Sequence, residues 1–222
     1  MKKRTLFLYA LIVVLFCIAL IVPLRTRRVE QTYFHTLVID PGHGGKDNGS
    51  CYDDVLEDEI NLNVSTKLLE TCIQKNWLTT ITRTGDYDLA SQYAKNRKRE
   101  DLYKRVQYIN HSGAELFISI HMNIYAANQS VHGPMVYYNA EIEESKKLAE
   151  NIATSFYNYT KEDKPLHSAD FYLFRHTTIP GVLIECGFLS NDEERKKLCN
   201  DDYQNTMAEL IYKGIKEYFK SV

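Results

Sequence analysis

The sequence has almost no excess of charge of either sign and no long basic run. Its 222 residues include 27 lysines and arginines against 29 aspartates and glutamates, which gives a formal net charge of −2 at pH 7. A nucleic-acid surface needs lysine and arginine concentrated in one place, because its partner is a chain of phosphates. The even mixture of charges therefore argues against nucleic acid as the main partner.

Cysteine is also scarce, and repeats are absent. One of the five cysteines lies in an apolar N-terminal run, and the other four are Cys51, Cys72, Cys186 and Cys199. Their spacing fits neither a zinc ribbon nor a dense disulfide framework, although one bridge among them stays open. No internal repeat, low-complexity linker or second module interrupts residues 31–222, so we expect one domain there.

One long hydrophobic run stands at the N-terminus. Residues 5–24 contain no charged side chain, and a helix of that length spans roughly 30 Å, the thickness of a hydrocarbon core. A cleavable signal peptide would have a shorter apolar region and a cleavage site of small residues, whereas basic residues follow here. The run predicts one uncleaved transmembrane helix within an anchor and juxtamembrane segment, residues 1–30. Basic residues flank it on both sides, so the positive-inside rule gives no orientation.

Beyond this segment, short apolar runs alternate with stretches of helical period. Such alternation predicts an α/β fold, in which a single domain has a mostly parallel twisted sheet with helices on both faces. We expect strands at residues 36–40, 78–82, 116–120, 132–138 and 181–184, and helices at residues 58–75, 97–112, 142–159 and 202–219.

Four chemically useful side chains stand at the ends of these elements. His43, His121 and Glu185 follow predicted strands, and Glu57 stands at the entrance of the first helix. Sites in open α/β sheets form outside the carboxyl ends of the strands, so we expect three of the four at one edge. Taken singly, the histidines fit a turn or a core and Glu57 fits a first-turn acid. A carboxylate among apolar residues, as at Glu185, is paired or functional when it is buried.

Together the four residues match the needs of a zinc hydrolase. Two histidines and a carboxylate leave a fourth zinc position for water, and zinc lowers the pKa of such a water to roughly 7. Glu185 is the candidate acid/base that takes a proton and returns it to a leaving amine. Asn123 is a candidate for orienting a ligand or contacting substrate. A zinc peptidase, a carbohydrate N-deacetylase and a non-catalytic membrane-tethered scaffold remain as alternatives.

These residues lie in segments that resemble the zinc-dependent N-acetylmuramoyl-L-alanine amidases. The matching pieces are residues 39–45 (IDPGHGG), Glu57 with residues 61–62, residues 119–123 (SIHMN) and residues 180–191 (PGVLIECGFLSN). The resemblance implies hydrolysis of the amide between the lactyl group of N-acetylmuramic acid and L-alanine in peptidoglycan. It also implies one zinc ion per chain, with His43, Glu57 and His121 as ligands and Glu185 as catalytic acid/base.

A narrower likeness is to the spore germination-specific members of this family. It rests on residues 97–110 (RKREDLYKRVQYIN), the short anchored N-terminus and the lack of a wall-binding module. It implies action in the spore cortex as the first step towards muramic-δ-lactam, before a muramic-acid deacetylase. The catalytic domain is then expected outside the cytoplasmic membrane, in the forespore intermembrane space of a sporulating cell. Peptidoglycan, the membrane and an accessory activating protein are the expected partners.

Two arginines and the segment of residues 139–170 give further expectations about the site. Arg83, after a strand, is a candidate to contact substrate or to support the site, and Arg105 fits either a substrate contact or a surface charge. Some family members insert a long inhibitory helix between the later strands. Residues 139–170 leave no room for one here, so we expect an open metal site.

Overall fold

The computed structural model describes residues 7, 11–13, 35–162 and 166–222. The chain divides into two units, Met1–Thr32 and Tyr33–Val222. Apart from Phe7 and residues 11–13, the predicted transmembrane helix over residues 5–24 lies outside the described residues. Among the described residues, no helix is both long and apolar enough to cross a membrane. The anchor and its boundary at residue 30 therefore stay predictions.

The second unit is built on strands that belong mainly to one sheet. In chain order they are β1 Thr36–Pro41, β2 Cys51–Tyr52, β3 Val55–Leu56, β4 Leu78–Ile81, β5 Leu116–Asn123, β6 Met135–Tyr138, β7 His167–Ser168 and β8 Gly181–Phe188. The spatial order in the six-stranded sheet is β4-β1-β5-β8-β6-β7, and β2 and β3 form a small separate hairpin.

Helices alternate with these strands. They are α1 Glu57–Gln74, α2 Arg97–His111, α3 Glu143–Thr160, α4 Tyr172–His176, α5 Asp192–Leu198 and α6 Asp201–Ser221. The helices α2, α5 and α6 each follow an asparagine whose side chain accepts a backbone N–H of the first turn. Helix α1 has no such cap and starts instead with three acidic residues, which suit the positive end of the helix dipole.

The sheet is mostly parallel, as predicted. Strand β1 pairs in parallel with β4 and β5, and β5 pairs in parallel with β8. Strand β6 is the exception and runs antiparallel to β8. No helix lies between β5 and β6, and a parallel return requires a crossover, usually helical. The chain therefore turns at the carboxyl edge and runs back along β8.

Two hydrophobic cores lie on opposite faces of the sheet, which confirms the layered arrangement. Alternate residues of a strand point to opposite faces, so Leu37 and Val38 enter different cores. The first core contains apolar residues of α1, α3 and α6. The second core is smaller and joins Phe117 and Leu183 to residues of α2 and α4. His121 lies four residues after Phe117 on β5, and Glu185 lies two residues after Leu183 on β8. Because even spacing keeps side chains on one face, His121 and Glu185 also lie on the side of the second core.

The strand ends differ from the prediction at the residues that matter most. We expected His121 and Glu185 to follow their strands, but β5 continues to Asn123 and β8 to Phe188. Both strands have neighbours on either side, and the ladder continues because His121 pairs with Glu185, which also pairs with Met135 of β6. Apolar runs mark only the buried part of such strands.

Candidate active site

His43, Glu57 and His121 form a tight cluster at the carboxyl edge of the sheet. Nε2 of His43 lies 3.3 Å from Oε1 of Glu57, and Nδ1 of His121 lies 2.9 Å from the same oxygen. Across the described residues, this is the group of His, Cys, Asp or Glu side chains close enough to share a metal ion, with ligand atoms within 4.8 Å of one another. The fold brings together three residues that were predicted from separate segments.

Glu57 is fixed from several directions at the start of α1. It is 3% exposed; its Oε2 accepts a hydrogen bond from the Ser50 amide at 2.7 Å, and its Oε1 accepts one from the Met122 amide at 3.2 Å. Burial raises the pKa of this carboxyl, but hydrogen bonds and charges of the two histidines outweigh burial and hold the pKa well below its usual range. Glu57 is thus a carboxylate, the form that binds a metal.

Asp47 supports His43 from its other side and was not predicted from the sequence. Oδ2 of Asp47 lies 3.0 Å from Nδ1 of His43. When Nδ1 carries the proton and donates it to this carboxylate, the Nε2 lone pair faces the cluster. Histidines that bind metals commonly have such an acidic partner on the second nitrogen. The sequence did offer one signal for this role of Asp47, namely a carboxylate four residues after His43 within the glycine-rich turn.

Two glycines make room for the rings. A Cβ atom on Gly42 would lie 2.2 Å from Cε1 of His121, and one on Gly49 would lie 2.5 Å from Oε2 of Glu57 and 2.7 Å from Cδ2 of His43. No side chain could occupy either place without moving a candidate ligand. The backbone of the turn is therefore part of the cradle around the cluster.

His43 itself has a strained backbone. Its φ is 60°, in the left-handed region, which costs a residue other than glycine about 1–3 kcal/mol and persists only where neighbouring contacts enforce it. Gly44 and Gly45 follow with φ of 121° and 65°. The chain thus reverses sharply after β1, and the reversal directs the imidazole towards Glu57.

Glu185 stands beside the cluster on the neighbouring strand. It is the register partner of His121, and its Oε2 is buried with no hydrogen-bond partner in the described part of the chain. Burial raises the pKa of Glu185 to about 7. A carboxyl group that titrates near neutrality can both accept and donate a proton, as an acid/base catalyst must.

A cavity of about 330 Å³ opens beside these groups. Its lining includes the polar residues His43, Asp47, Lys98, His121 and Glu185 and the apolar or aromatic residues Leu102, Phe171, Tyr172, Leu173 and Leu183. Helix α3 lies within residues 139–170, where no additional inhibitory helix is expected, and it packs Leu148, Ile152 and Phe156 into the first core. None of the described α3 residues lines the cavity, and the open metal site stays a prediction.

Both arginines are buried, and Arg105 also lines the cavity beside the cluster. Arg83 and Arg105 are each 1% exposed, so the surface-charge interpretation of Arg105 is wrong. Both donate hydrogen bonds to backbone carbonyls of the turn that follows β1. For Arg83 this burial favours support of the site over contact with substrate. Arg105 stands three residues after Leu102 and four before Ile109, on the apolar stripe of α2. This spacing in the sequence already indicated that Arg105 is buried.

Asn123 lies at the end of β5. Its Oδ1 accepts a hydrogen bond from the Ile124 amide at 2.8 Å, and its Nδ2 lies 3.8 Å from Sδ of Met135. These contacts involve neither of the candidate histidine ligands. Its expected role in orienting a ligand or contacting substrate stays a prediction.

The cluster fits a zinc ion on the chemistry of its donors. Two imidazole nitrogens and a carboxylate oxygen are ligands that zinc prefers, and three protein ligands leave a position open. Burial lowers the pKa of His43, but hydrogen bonds and charges of Glu57 and Asp47 outweigh it and raise that pKa. The surroundings therefore favour positive charge at this point, as a cation site requires.

Comparison with known proteins gives a consistent result. The family model described as N-acetylmuramoyl-L-alanine amidase matches residues 37–217. The germination-specific N-acetylmuramoyl-L-alanine amidase of Bacillus subtilis (strain 168) is 39% identical over 190 residues, which cover 82% of this chain and 79% of that protein.

Solved structures agree with the family match. The CwlD amidase from Clostridioides difficile, solved in complex with the GerS lipoprotein, has a TM-score of 0.80 at 33% identity, covering 85% of this chain and 100% of that one. An N-acetylmuramoyl-L-alanine amidase from Clostridium difficile 630 has a TM-score of 0.76 at 30% identity, covering 86% and 99%. The family model spans most of this chain, and these relatives share the fold of the chain. The chain therefore belongs to the N-acetylmuramoyl-L-alanine amidase family.

Proposed function

We propose that this chain is a zinc-dependent hydrolase of the amide between the lactyl group of N-acetylmuramic acid and L-alanine in peptidoglycan. The observation that carries the proposal is the placement of Glu185 beside His121, next to a cluster that can hold one metal ion per chain. The family supplies the identity of the bond. The cavity beside the cluster has both polar and apolar walls, as a muramoyl-peptide substrate requires.

The chemistry divides between the metal ligands and Glu185. His43, Glu57 and His121 would hold zinc, which when bound polarises a carbonyl group and makes water a better nucleophile. Glu185 accepts a proton as the oxygen of water adds to the lactyl carbonyl carbon. It then donates that proton to the alanine nitrogen as the carbon–nitrogen bond breaks. The products are a lactyl carboxylic acid and a free alanine amino group, so the atoms balance.

Product identification tests this reaction. The full-length chain, purified in detergent with zinc, is incubated with peptidoglycan, and the soluble products are analysed by mass spectrometry. We expect stem peptides that begin with L-alanine from the wild type and from Glu150→Gln, in which an exposed glutamate of α3 is changed. Glu185→Gln should release them at least about 100-fold more slowly. Release of acetate would indicate an N-deacetylase and cleavage within the stem a peptidase, and no release from a chain that also binds no zinc would indicate a scaffold; each of these results would contradict the proposal.

We propose further that the substrate is spore-cortex peptidoglycan and that the product leads to muramic-δ-lactam through a muramic-acid deacetylase. Support comes from the relative that is named germination-specific and from the similarity to CwlD. Spores of a strain that lacks this chain should contain cortex without muramic-δ-lactam. Unchanged lactam content in those spores would remove the cortex role but leave the amidase activity untouched.

The proposed location follows from the substrate and from residues 5–24. An uncharged run of this length suits a membrane anchor, and peptidoglycan lies outside the cytoplasmic membrane. We therefore place the catalytic domain on the outer side, which is the intermembrane space in a forespore. Protease added to intact protoplasts should digest the domain and leave a cytoplasmic control protein whole, and protection of the domain would exclude this orientation.

An accessory protein is the last part of the proposal. The similar CwlD amidase was solved with the GerS lipoprotein bound, which supports a binding partner for this chain as well. Crosslinking in sporulating cells, followed by capture of this chain, should recover one specific protein that raises its amidase activity when the two are mixed. Full activity of the purified chain, with no crosslinked protein, would make an activator unnecessary.

A further inference from the structure

Two buried arginines hold the turn that presents His43. Arg83 and Arg105 are among the largest side chains that are almost fully buried. Removal of a guanidinium group from water is costly unless hydrogen bonds and opposite charges replace the lost hydration. Their hydrogen-bond partners therefore indicate what these side chains do.

Arg83 joins two segments that carry candidate ligands. Its Nε donates to the carbonyl of Pro41 at 3.1 Å, and its Nη2 donates to that of Gly42 at 2.9 Å. The same Nη2 donates to the carbonyl of Asp58 at 2.7 Å. Asp58 directly follows Glu57, so one guanidinium group connects the turn before His43 to the first turn of α1.

Arg105 holds the same turn from α2. Its Nη1 donates to the carbonyl of Pro41 at 2.6 Å, and its Nη2 donates to that of His43 at 2.5 Å. Its charge is balanced by Asp40 and Asp101, each at 2.8 Å. The carbonyls of residues 41, 42 and 43 thus all accept hydrogen bonds from the arginine clamp, by which we mean Arg83 and Arg105 together.

The clamp explains how a strained histidine keeps its position. A left-handed φ at His43 persists only where the surroundings enforce it, and the clamp provides this restraint directly at its carbonyl. We propose that Arg83 and Arg105 are positioning residues that fix His43 in its ligand conformation before a metal binds, and so set the metal affinity of the site. This inference rests on the proposed function, because it takes His43 to be a ligand.

Arginine-to-lysine substitution separates geometry from charge. Lysine keeps the positive charge but loses the planar fork that can reach several carbonyls at once. If the clamp acts through geometry, Arg83→Lys and Arg105→Lys loosen His43 although the charge near the cluster is unchanged. Outer partners of metal ligands typically contribute about 10- to 100-fold in affinity, and we expect a loss in this range.

Arg195 provides a matched control. It is also buried, at 8% exposure, and it also binds a backbone carbonyl, that of Leu189 at 2.7 Å, together with Asp53 and Asp192. None of these contacts involves residues 41–43 or a candidate ligand. Arg195→Lys should therefore lower thermal stability without changing metal affinity.

Metal titration of the full-length chain in detergent tests the inference. The protein is stripped with a chelator and titrated with Co²⁺ while the visible absorption is recorded, and competition then gives the Kd for zinc. Arg83→Lys and Arg105→Lys should raise both Kd values about 10- to 100-fold and alter the cobalt spectrum at saturation. Arg195→Lys should match the wild type in both. The Tm of each metal-free protein measures the purely structural effect.

The outcomes are distinguishable. Wild-type affinity in both clamp variants, or an equal loss in Arg195→Lys, would overturn the positioning role. If Arg105→Lys does not fold, Arg83→Lys decides the question, because it keeps the Arg105 pairs with Asp40 and Asp101. If the wild type binds neither Co²⁺ nor Zn²⁺, the proposed metal function fails first, and this inference falls with it.

Discussion

His121 and Glu185 are register partners on adjacent parallel strands, β5 and β8. Neighbouring strands lie about 4.8 Å apart, and paired residues direct their side chains to the same face. A candidate metal ligand and a candidate acid/base are therefore held side by side by backbone hydrogen bonds, independently of any loop. This arrangement allows the two roles to be separated by experiment.

Substitution of these two residues should have different effects on metal content. Glu185→Gln keeps the size of the side chain but removes its acid/base function, so we expect kcat to fall about 10²- to 10⁴-fold with one zinc ion still bound. His121→Ala removes a ligand and should lose both zinc and activity. Metal analysis beside amidase kinetics measures this, and loss of zinc from Glu185→Gln would show that Glu185 acts as a ligand instead.

A methyl group at position 42 should disturb the cluster. In Gly42→Ala the new Cβ would overlap the His121 ring, with 2.2 Å to Cε1, so we expect weakened zinc binding and a loss of activity. Gly85→Ala is the control, because its Cβ would meet only the Tyr87 ring at 3.3 Å. Zinc titration of both variants measures the effect, and equal affinities would mean that the ring can move without leaving the cluster.

Asp47 should affect zinc binding through His43. Asp47→Asn leaves a weaker, neutral acceptor for the Nδ1 proton, and Asp47→Ala leaves none, so zinc affinity should fall in that order, by up to about 100-fold. Asp170→Asn, which changes an exposed aspartate paired with Arg175, should bind zinc like the wild type. Identical affinities for the three Asp47 forms would show that another contact orients the ring.

Acid should destabilise the protein partly through Asp40. Burial raises the pKa of this carboxyl, but the charge of Arg105 and hydrogen bonds from Thr82, Ser119 and Arg105 outweigh burial and lower it below the ordinary value of 3.8. A lowered pKa in the folded state gives stability that is present above 3.8 and is lost as the pH falls through the folded-state pKa. The unfolding free energy should therefore decrease below about pH 4.

Urea unfolding of the metal-free protein at several pH values isolates this contribution. Asp40→Asn should be less stable than the wild type at pH 7, by about 3 kcal/mol, because it breaks a buried ion pair. The difference between the two proteins should shrink as the pH falls below 3.8. A constant difference down to the lowest pH would show that folding does not lower the pKa of Asp40.

The longer elements could be predicted because their signals are local. The apolar period of α1 and the β-branched run of β1 identify these elements within one or two residues of their bounds in the structure. The hairpin of β2 and β3, strand β7 and helices α4 and α5 were not predicted, since elements this short contain too few residues to show a period. Parallel pairing was predictable from the alternation of strands and helices, whereas the antiparallel β6 was not.

The candidate site also has features that the sequence predicts and features that only the folded structure reveals. The sequence by itself determined the chemical identity of His43, Glu57, His121 and Glu185, and the rule for strand ends brought three of them to one edge. Only the tertiary structure decided what surrounds them: the closeness of Asp47 to the back of the His43 ring, and the direction of the arginine clamp towards the turn instead of the solvent. Residue type and strand alternation are properties of neighbours in the chain. Burial and hydrogen-bond partners depend on contacts between distant segments, and these exist only once the sheet and its helices have packed.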